Sequence, residues 1–304
     1  MKISVVIVTY NGDQWIEEVI KSLYSSTIEV KIIVVDNNSS DKTISIVKRY
    51  NDVDLTELKT NLGFGPANNI GLKKSYEAEF DYVFLLNQDA WINPNTITDL
   101  VKAHQKQSEF GVISPMHLNG KGDALDYKFS RYIGPNKCKN LYSDIFLRKT
   151  FEKVYEVEFV NAAAWLISRE CLEIVGGFNP SFFHYGEDDN YLQRVQFHRL
   201  KIGILPEAII YHDREYRISN DYFVNPEKYF KRHLILDLSN PHSGNSFKKE
   251  YKKIYKKLLK AVFFMSITKV KEYVSEIRIL NNIDKKQIIK NKMLSKNVSN
   301  SFLQ

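Results

Sequence analysis

The sequence has few cysteines and no long apolar run. Only Cys138 and Cys171 occur in 304 residues, too few for a disulfide framework and too far apart for a zinc-ligand pair. Reduced thiols in a cytosolic compartment are the simplest interpretation. The first apolar run, Ile3 to Val8, is too short for a signal-peptide core or a membrane span. We therefore expect a cytoplasmic globular protein.

Acidic residues are scarce at one end only. Residues 247–304 hold 15 Lys or Arg against 4 Asp or Glu, whereas the remaining residues hold 28 against 32, so the net charge of +7 comes from the tail. The slightly acidic body carries no nucleic-acid motif, which disfavours DNA or RNA as a partner. The asymmetry predicts that body and tail meet different partners.

The first 115 residues alternate short apolar runs with segments of helical period, which indicates an α/β fold with a mostly parallel sheet. Asp13 and Asn93 are expected to cap the helices that follow them. The expected strands are Ile3–Val8, Val30–Val35, Val53–Leu58 and Tyr82–Leu86.

The rest of the body is less regular. Residues 116–155 show no strong period and predict a loop-rich insertion. A break at 240–245 separates a body, residues 1–240, from a basic helical tail, residues 246–304. Between them we expect a strand over Phe159–Ser168, helices over Arg169–Val175 and Glu187–His198, and strands over Gly203–Leu205 and Ala208–Tyr211.

Polar clusters follow three of the expected strands, at 9–12, 36–41 and 87–89. Ligands bind beyond the carboxyl ends of strands in open α/β sheets, so these clusters predict a binding edge. Ordinary helix-capping turns are the alternative for each cluster alone. The glycine-containing stretch 61–69 fits neither the dinucleotide fingerprint nor the nucleoside-triphosphate loop.

Six motifs in order carry a family resemblance: Val-Thr-Tyr-Asn-Gly at 8–12, Val-Asp-Asn-Asn-Ser-Ser-Asp at 35–41, Asn-Leu-Gly-Phe-Gly-Pro-Ala-Asn-Asn at 61–69, Leu-Leu-Asn-Gln-Asp at 85–89, Gly-Gly-Phe-Asn at 176–179 and Phe-Phe-His-Tyr-Gly-Glu-Asp-Asp at 182–189. The chain resembles the inverting glycosyltransferases of family 2, with the GT-A fold, and is most similar to their rhamnosyltransferase-like branch. The resemblance implies a nucleotide-sugar-binding half at 1–115 and an acceptor-binding half at 116–240.

On this resemblance, the chain moves a sugar from a UDP- or dTDP-sugar to a hydroxyl of a glycan or lipid-linked glycan in surface polysaccharide biosynthesis. The Asp36 carboxylate would accept from a pyrimidine imide or a ribose hydroxyl. Asp89 and His212 would hold Mg²⁺ or Mn²⁺, which rely on few carboxylates plus substrate phosphates. The implied donor pocket comprises Thr9, Tyr10, Asn11, Asp36, Asn61, Gly65, Asn68, Asn87 and Gln88.

The resemblance makes Asp188 the general base, with Glu187 beside it in the acceptor pocket. Arg194 matches a supporting family arginine, and Trp165 with Asn161 would line the acceptor site. Each has a structural alternative: the acids could simply favour a helix start, His212 could be structural, and Trp165 could end a buried strand.

Two other function classes stay open: a non-catalytic relative that binds nucleotide-sugar or glycan, and a sugar nucleotidyltransferase. The second expects a glycine-rich loop followed by a basic residue near the N-terminus, which 9–13 lacks. In the tail, residues 248–265 place an aromatic and aliphatic stripe beside a lysine-rich face. This pattern predicts either a helix on an anionic membrane, at the inner face of the plasma membrane, or a helix docked on the body.

Overall fold

The computed structural model describes residues 1–149, 153–214 and 224–303. In this part of the chain the strands are β1 Ile3–Thr9, β2 Lys31–Asp36, β3 Asp54–Glu57, β4 Tyr82–Leu86, β5 Ala90–Ile92, β6 Phe110–Asn119, β7 Tyr155–Glu156, β8 Ala164–Ser168 and β9 Lys201–His212. The helices are α1 Ile16–Tyr24, α2 Thr43–Val47, α3 Phe64–Glu77, α4 Thr96–Lys106, α5 Tyr127–Ser130, α6 Leu141–Phe146, α7 Arg169–Val175, α8 Glu187–Phe197, α9 Pro226–Ser239, α10 Phe247–Phe263, α11 Ile267–Asn282 and α12 Lys285–Leu294.

The strands form one sheet in the order β3-β2-β1-β4-β8-β6-β9-β5, with β7 paired to β9. The first four strands of this order are parallel. The other half is mixed, because β8 runs antiparallel to both β4 and β6 while β6 and β9 are parallel. The predicted α/β class is confirmed, with the parallel arrangement confined mainly to the N-terminal half.

Apolar residues cover both faces of the sheet. Strand β1 is buried over almost its whole length, as expected for a β-branched run between two helix layers. Helix α1 turns its apolar stripe inward, so that Ile16, Val19, Ile20 and Leu23 are buried. One core includes Phe84 on one side of the sheet, and the other includes Trp165.

Two predicted caps are wrong. Helix α1 begins after Trp15 with no side-chain cap, and Asp13 instead donates its backbone N–H to Asp41 at 3.1 Å. Helix α4 begins at Thr96, because the strand β5 extends the chain to Ile92 before the turn. In both places the loop that precedes the helix is held by longer-range contacts, which override the local capping preference.

The second half of the body differs most from expectation. Only the last five residues of the predicted strand Phe159–Ser168 pair, as β8. Strand β6 continues to Asn119, inside the region predicted as loop-rich. The two predicted strands at 203–211 are one strand, β9, whose register against β6 shifts between Pro115 and Met116. Such a bulge absorbs the proline at 206 without ending the strand.

The basic tail folds back onto the body. Helices α9 to α12 share an apolar cluster with Phe182, and Asn291 on α12 donates to the side chain of Asn179 at 3.0 Å. Gly177 donates its N–H to the carbonyl of Ser301 at 2.8 Å, and Leu303 enters the body core. The predicted helical tail is present and is docked. None of its described helices, nor any other in the described ranges, is long and apolar enough to cross a membrane.

Candidate active site

The carboxyl ends of β1 and β2 are joined through Asp36. Its side chain is fully buried and accepts from the hydroxyl of Thr9 at 2.8 Å and from the backbone N–H and hydroxyl of Ser39 at 2.8 and 2.6 Å. These contacts fix the loop after β2 against the end of β1. Both carboxylate oxygens are therefore engaged with the protein, and direct nucleotide contact by Asp36 or Thr9 stays a prediction.

Gln88 fixes the loop after β1 from the other side. Its amide carbonyl accepts from the Tyr10 N–H at 2.8 Å, and its amide nitrogen donates to the Tyr10 carbonyl at 3.1 Å. Gly12 leaves room for this side chain, because a Cβ there would lie 2.3 Å from the Gln88 Oε1. Tyr10 and Asn11 keep exposed side chains at this edge, where a ligand can reach them.

The stretch 61–69 packs between the carboxyl ends of β1 and β2 and the loop that precedes α8. Asn37 fixes it by accepting from the Leu62 N–H at 2.7 Å. Gly63 has φ 85°, and a Cβ there would lie 1.9 Å from the Phe183 carbonyl oxygen, so only glycine fits. Asn61 and Asn68 bond within the stretch, to the N–H of Gly63 and the carbonyl of Phe64. A Cβ on Gly65 would lie 3.5 Å from the Cβ of Glu187.

The end of β4 leads to a buried group of charges. Asp89 is 3% exposed, and its Oδ1 lies 3.5 Å from Nε2 of His212 at the end of β9. Nδ1 of His212 lies 3.4 Å from Asp126, to which Arg214 donates two hydrogen bonds of 2.6 and 2.7 Å. Asn87 lies beside this group and donates its N–H to the Ala163 carbonyl at 2.9 Å. We name Asp89, His212, Asp126 and Arg214 the paired cluster.

Charges within the paired cluster shift its pKa values. Burial lowers the pKa of His212, but Asp89 and Asp126 outweigh it, so the pKa lies above its ordinary value. Burial raises the pKa of Asp126, but the neighbouring His212 and the hydrogen bonds and charge of Arg214 hold it far below its usual range. Asp126 is therefore ionised at neutral pH, and it orients the imidazole that contacts Asp89.

The side chains of Asp89 and His212 could hold a divalent cation only if the cation has further ligands. No group of three or more His, Cys, Asp or Glu side chains forms a metal site in the part of the chain that the structure describes. Asp89 supplies one hard oxygen donor, and His212 contacts that same oxygen. Mg²⁺ and Mn²⁺ accept such a partial shell when a bound diphosphate and water complete it.

The second charged group opens helix α8. Glu187, Asp188 and Asp189 follow one another, and Asp188 accepts from the Asp189 N–H at 2.9 Å. Glu187 is 4% exposed, and its Oε2 has no hydrogen-bond partner among the described residues. Burial and the neighbouring acids raise the pKa of Glu187, and burial and Asp189 raise that of Asp188 to about 7, although Arg232 opposes the shift. We name these three acids the acid triplet.

The phenol of Tyr132 is influenced by charges from both the paired cluster and the acid triplet. Burial raises the pKa of its phenol to about 12, Arg214 opposes this, and Asp188, Asp126 and Asp189 add to it. Coulomb interactions fall with distance, so charges that act on one phenol lie close to it. Charges of the paired cluster and of the acid triplet therefore both act on the Tyr132 phenol, and a shared cleft between Asp89 and Asp188 stays a prediction.

Two predicted contributors are fully buried. Trp165 is fully buried between Phe178 and Tyr191, at ring distances of 6.1 and 5.6 Å, which favours the buried strand end given as the alternative to a place in the acceptor site. Its position in the middle of the apolar core, on a strand covered by α8, explains this burial. Arg194 is also fully buried and donates to the carbonyls of Val175 and Gly177, which satisfies the carboxyl end of α7.

Sequence reasoning missed Asp126, Tyr132, Arg214 and Arg232. Asp126 caps the short helix α5 through the Phe129 N–H at 2.7 Å, and its partner Arg214 lies 88 residues away. A cation two residues after the candidate ligand His212 was the one available signal. Nothing local in the sequence marks Tyr132, because its importance comes from the two groups that approach it.

The curated relatives that this chain resembles make glycans. It is 29% identical over 206 residues to the low-salt glycan biosynthesis hexosyltransferase Agl10 of Haloferax volcanii, covering 66% of this chain and 64% of that protein. It is 25% identical over 263 residues to N-acetylglucosaminyl-diphospho-decaprenol L-rhamnosyltransferase of Mycobacterium tuberculosis, covering 79% and 85%. The chain thus spans less than two thirds of the length of Agl10.

Solved structures share the fold. Residues 1–349 of TarS from S. aureus in complex with UDP superpose with a TM-score of 0.57 at 18% identity, covering 97% of this chain and 90% of that chain. GalNAc-T7 with UDP, GalNAc and Mn²⁺ gives a TM-score of 0.60 at 17% identity, covering 100% and 56%. These similarities confirm the predicted GT-A fold.

The family match covers more than half of the chain. Residues 4–175 match the family model described as Glycosyl transferase family 2. This range includes β1, β2, the stretch 61–69, Asp89 and Asp126, and it ends just before the loop that leads to the acid triplet. The chain therefore belongs to glycosyl transferase family 2.

Proposed function

We propose that this chain transfers a sugar, with inversion at the anomeric carbon, from a UDP- or dTDP-sugar to a hydroxyl of a glycan or lipid-linked glycan in surface polysaccharide synthesis. The observation that carries the proposal is that charges of the paired cluster (Asp126, Arg214) and of the acid triplet (Asp188, Asp189) act on the same Tyr132 phenol. The paired cluster is suited to binding an anionic leaving group with its cation. The acid triplet is suited to supplying a general base. The names of the relatives support the substrate class.

The donor binds at the edge formed by β1, β2 and β4. Asp36, Thr9 and Ser39 hold the loops rigid, and Gln88 fixes the backbone of Tyr10. The nucleotide then contacts the exposed side chains at 10–11 and the stretch 61–69. A site whose loops are already ordered loses less entropy on binding, which favours affinity.

Asp89 and His212 would hold Mg²⁺ or Mn²⁺ together with the donor diphosphate, and the cation would stabilise the negative charge that develops on that leaving group. Arg214 adds a positive charge, and Asp126 keeps the imidazole of His212 directed towards Asp89. The two side chains that would bind the cation are thus held in place by their neighbours.

Asp188 acts as the general base. Its carboxylate takes the proton of the acceptor hydroxyl while the hydroxyl oxygen forms a bond to the anomeric carbon. The bond from that carbon to the diphosphate oxygen breaks in the same displacement, and the nucleoside diphosphate leaves. A carboxylate with a pKa raised to about 7 is a stronger base than an exposed one and is still ionised at a slightly alkaline pH.

A panel of nucleotide-sugars tests the proposal. The donor should raise the Tm in the presence of Mn²⁺, because a ligand that binds only the folded state stabilises it. The same donor should release its nucleoside diphosphate when an acceptor glycan is added. Asp188→Asn is the matched control: it should keep the Tm shift and lose the release.

The alternatives give different results. A non-catalytic relative would show the Tm shift with no nucleotide release from the unaltered chain. A sugar nucleotidyltransferase would release pyrophosphate from a nucleoside triphosphate and a sugar phosphate. Either result would overturn the proposed function.

A further inference from the structure

Helices α10 and α11 form an antiparallel hairpin whose end carries exposed apolar side chains. We name residues 259–267 the hairpin tip: the last turn of α10, the connection and the first residue of α11. Each of its large apolar side chains is more than half exposed, and they are Leu259, Val262, Phe263, Phe264, Met265 and Ile267. A soluble surface rarely gathers such residues in one place without an interaction to explain them.

The sequence predicted an apolar stripe along 248–265, and the structure divides that stripe. Ile254 is buried and Tyr251 and Leu258 are half-buried, because the start of α10 packs against α11. Tyr251 also receives a hydrogen bond of 2.8 Å from Lys285, and Lys257 lies over the Tyr273 ring at 5.6 Å. The body of the hairpin is therefore largely docked, with Tyr255 and Val274 about half exposed, whereas the large apolar side chains of the tip are the most exposed of the hairpin.

The connection departs from local preference. Met265 has φ 49°, a left-handed conformation that glycine or asparagine adopts at lower cost, and its side chain is 88% exposed. A bulky apolar residue at this position gains nothing from packing in the described structure. Local rules are broken most often at functional positions, so the side chain itself is what the position requires.

Positive charge surrounds the tip. Residues 256–272 hold five lysines and one acid, Glu272, which pairs with Lys269 at 3.1 Å. Lysines are depleted at protein–protein interfaces, whereas lysines beside exposed aromatic and aliphatic residues are typical of helices that enter the surface of an anionic bilayer. The lysines are Lys256, Lys257, Lys260, Lys269 and Lys271.

We propose that the hairpin tip inserts into the surface of a membrane rich in anionic lipid, with its apolar residues among the acyl chains and the surrounding lysines at the headgroups. The hairpin then acts as a rigid arm. Ser275 on α11 contacts Glu227 at the start of α9, and Ile267 lies about 12 Å further along the helix at 1.5 Å per residue.

The arm is joined to the site through α9. Arg232 on this helix acts on Asp188, and its Cγ would lie 3.5 Å from a Cβ on Gly186. Insertion of the tip would therefore fix the acceptor side of the site at a set height above the lipid. The membrane proposal stands without the proposed reaction, because it rests on the tip alone.

Vesicle flotation of the full chain tests this proposal. The chain should float with vesicles of phosphatidylcholine containing about a third phosphatidylglycerol, and should float far less with phosphatidylcholine alone or in high salt, which screens the lysines. The double variant Phe263→Glu/Phe264→Glu should bind at least about tenfold more weakly, since it removes two exposed aromatic rings that the proposal places among the acyl chains. Ile289→Glu, at an exposed apolar position on α12, is the matched control and should bind like the unaltered chain.

Two further variants separate membrane contact from folding. Met265→Gly should leave the Tm unchanged or higher, because glycine suits the positive φ, while vesicle binding falls. Lys256→Gln/Lys260→Gln should lower binding about tenfold on anionic vesicles only. Binding that survives the double phenylalanine variant would overturn the proposal, as would failure of the unaltered chain to float. So would a concentration-dependent dimer that the phenylalanine variant abolishes, since the tip would then bind a second copy.

Discussion

The paired cluster and the acid triplet contain similar residues in opposite electrostatic states. In the first, Asp126 has a bidentate partner in Arg214 and a pKa far below its usual range. In the second, the three acids adjoin one another, and the pKa of Asp188 is raised to about 7. Burial raises the pKa in both places. What differs is whether a cation is bonded to the carboxylate or only lies near it.

This difference separates two tasks. A carboxylate that stays ionised keeps a fixed negative charge for cation binding and orients its neighbours. A carboxylate with a raised pKa exchanges a proton near neutral pH, as a base requires. The proposed glycosyl transfer uses both, and charges of both groups act on the Tyr132 phenol.

The largest expected effect follows from removing the proposed base, Asp188. Asp188→Asn keeps the shape of the side chain but cannot accept the proton, so we expect kcat to fall roughly 10²- to 10⁴-fold. Nucleoside diphosphate release under saturating donor and acceptor measures it. Glu170→Gln, an exposed acid in the first turn of α7, is the control and should change little. Full activity in Asp188→Asn would contradict the proposal that the acid triplet supplies the general base.

Removing charge from the paired cluster should affect binding instead. Asp89→Asn loses the carboxylate but keeps its volume, so UDP affinity in the presence of Mn²⁺ should fall about 10- to 100-fold. UDP affinity measured by calorimetry without divalent cation should be unaltered. An equal loss with and without Mn²⁺ would argue that Asp89 supports the fold and not the cation.

A milder change tests only the edge formed by β1, β2 and β4, where the nucleotide-sugar is proposed to bind. Gly12→Ala places a Cβ 2.3 Å from the Gln88 Oε1, and that flexible side chain can turn away. The fold should survive, but the Tyr10 backbone loses the hydrogen bond it donates to Gln88 and the one it accepts from Gln88, so UDP affinity should fall about tenfold. Gly134→Ala, where a Cβ meets nothing within 4 Å, is the matched control. A loss of affinity in the control as well would show a general effect of the substitution.

The smallest effect concerns stability and pH. The folded state holds the proton of Asp188 more tightly than the unfolded state, whose pKa is near 3.8, so ionisation costs stability as pH rises from about 4 to about 7. Asp188→Asn should therefore match the unaltered chain near pH 4 and exceed it by roughly 1–2 kcal/mol at pH 8, after allowance for solvent screening. Urea unfolding at the two pH values measures this difference. A variant less stable at pH 8 would contradict the raised pKa.

The parallel half of the sheet could be predicted from the sequence because each of its elements is marked by a pattern of neighbouring residues. Strand β1 is an uninterrupted β-branched run, and Ile16 to Leu23 repeat with helical period, so both their type and their buried faces followed directly. The order of the polar clusters at the strand ends indicated one binding edge for the same reason.

The rest depended on contacts distant in the chain. Strand β6 was not predicted, because its second half enters the region 116–155 that shows no strong period, yet pairing with β8 and β9 fixes it as a strand. Asp126 lies in the same region and drew no prediction, because only folding brings Arg214 and His212 to it. The sequence left two alternatives open for Trp165, because a strand end near a cleft and a strand end in a core have the same local sequence signal, and the structure buries it.

A crystal structure of the chain with UDP and Mn²⁺ tests the central claim most directly. We expect Mn²⁺ between Asp89 and the diphosphate, and the open side of the β-phosphate, where a sugar would be attached, facing Tyr132 and Asp188. UDP bound away from Asp89, or a β-phosphate directed away from Asp188, would contradict a single cleft in which the two acid groups act on opposite sides of one sugar.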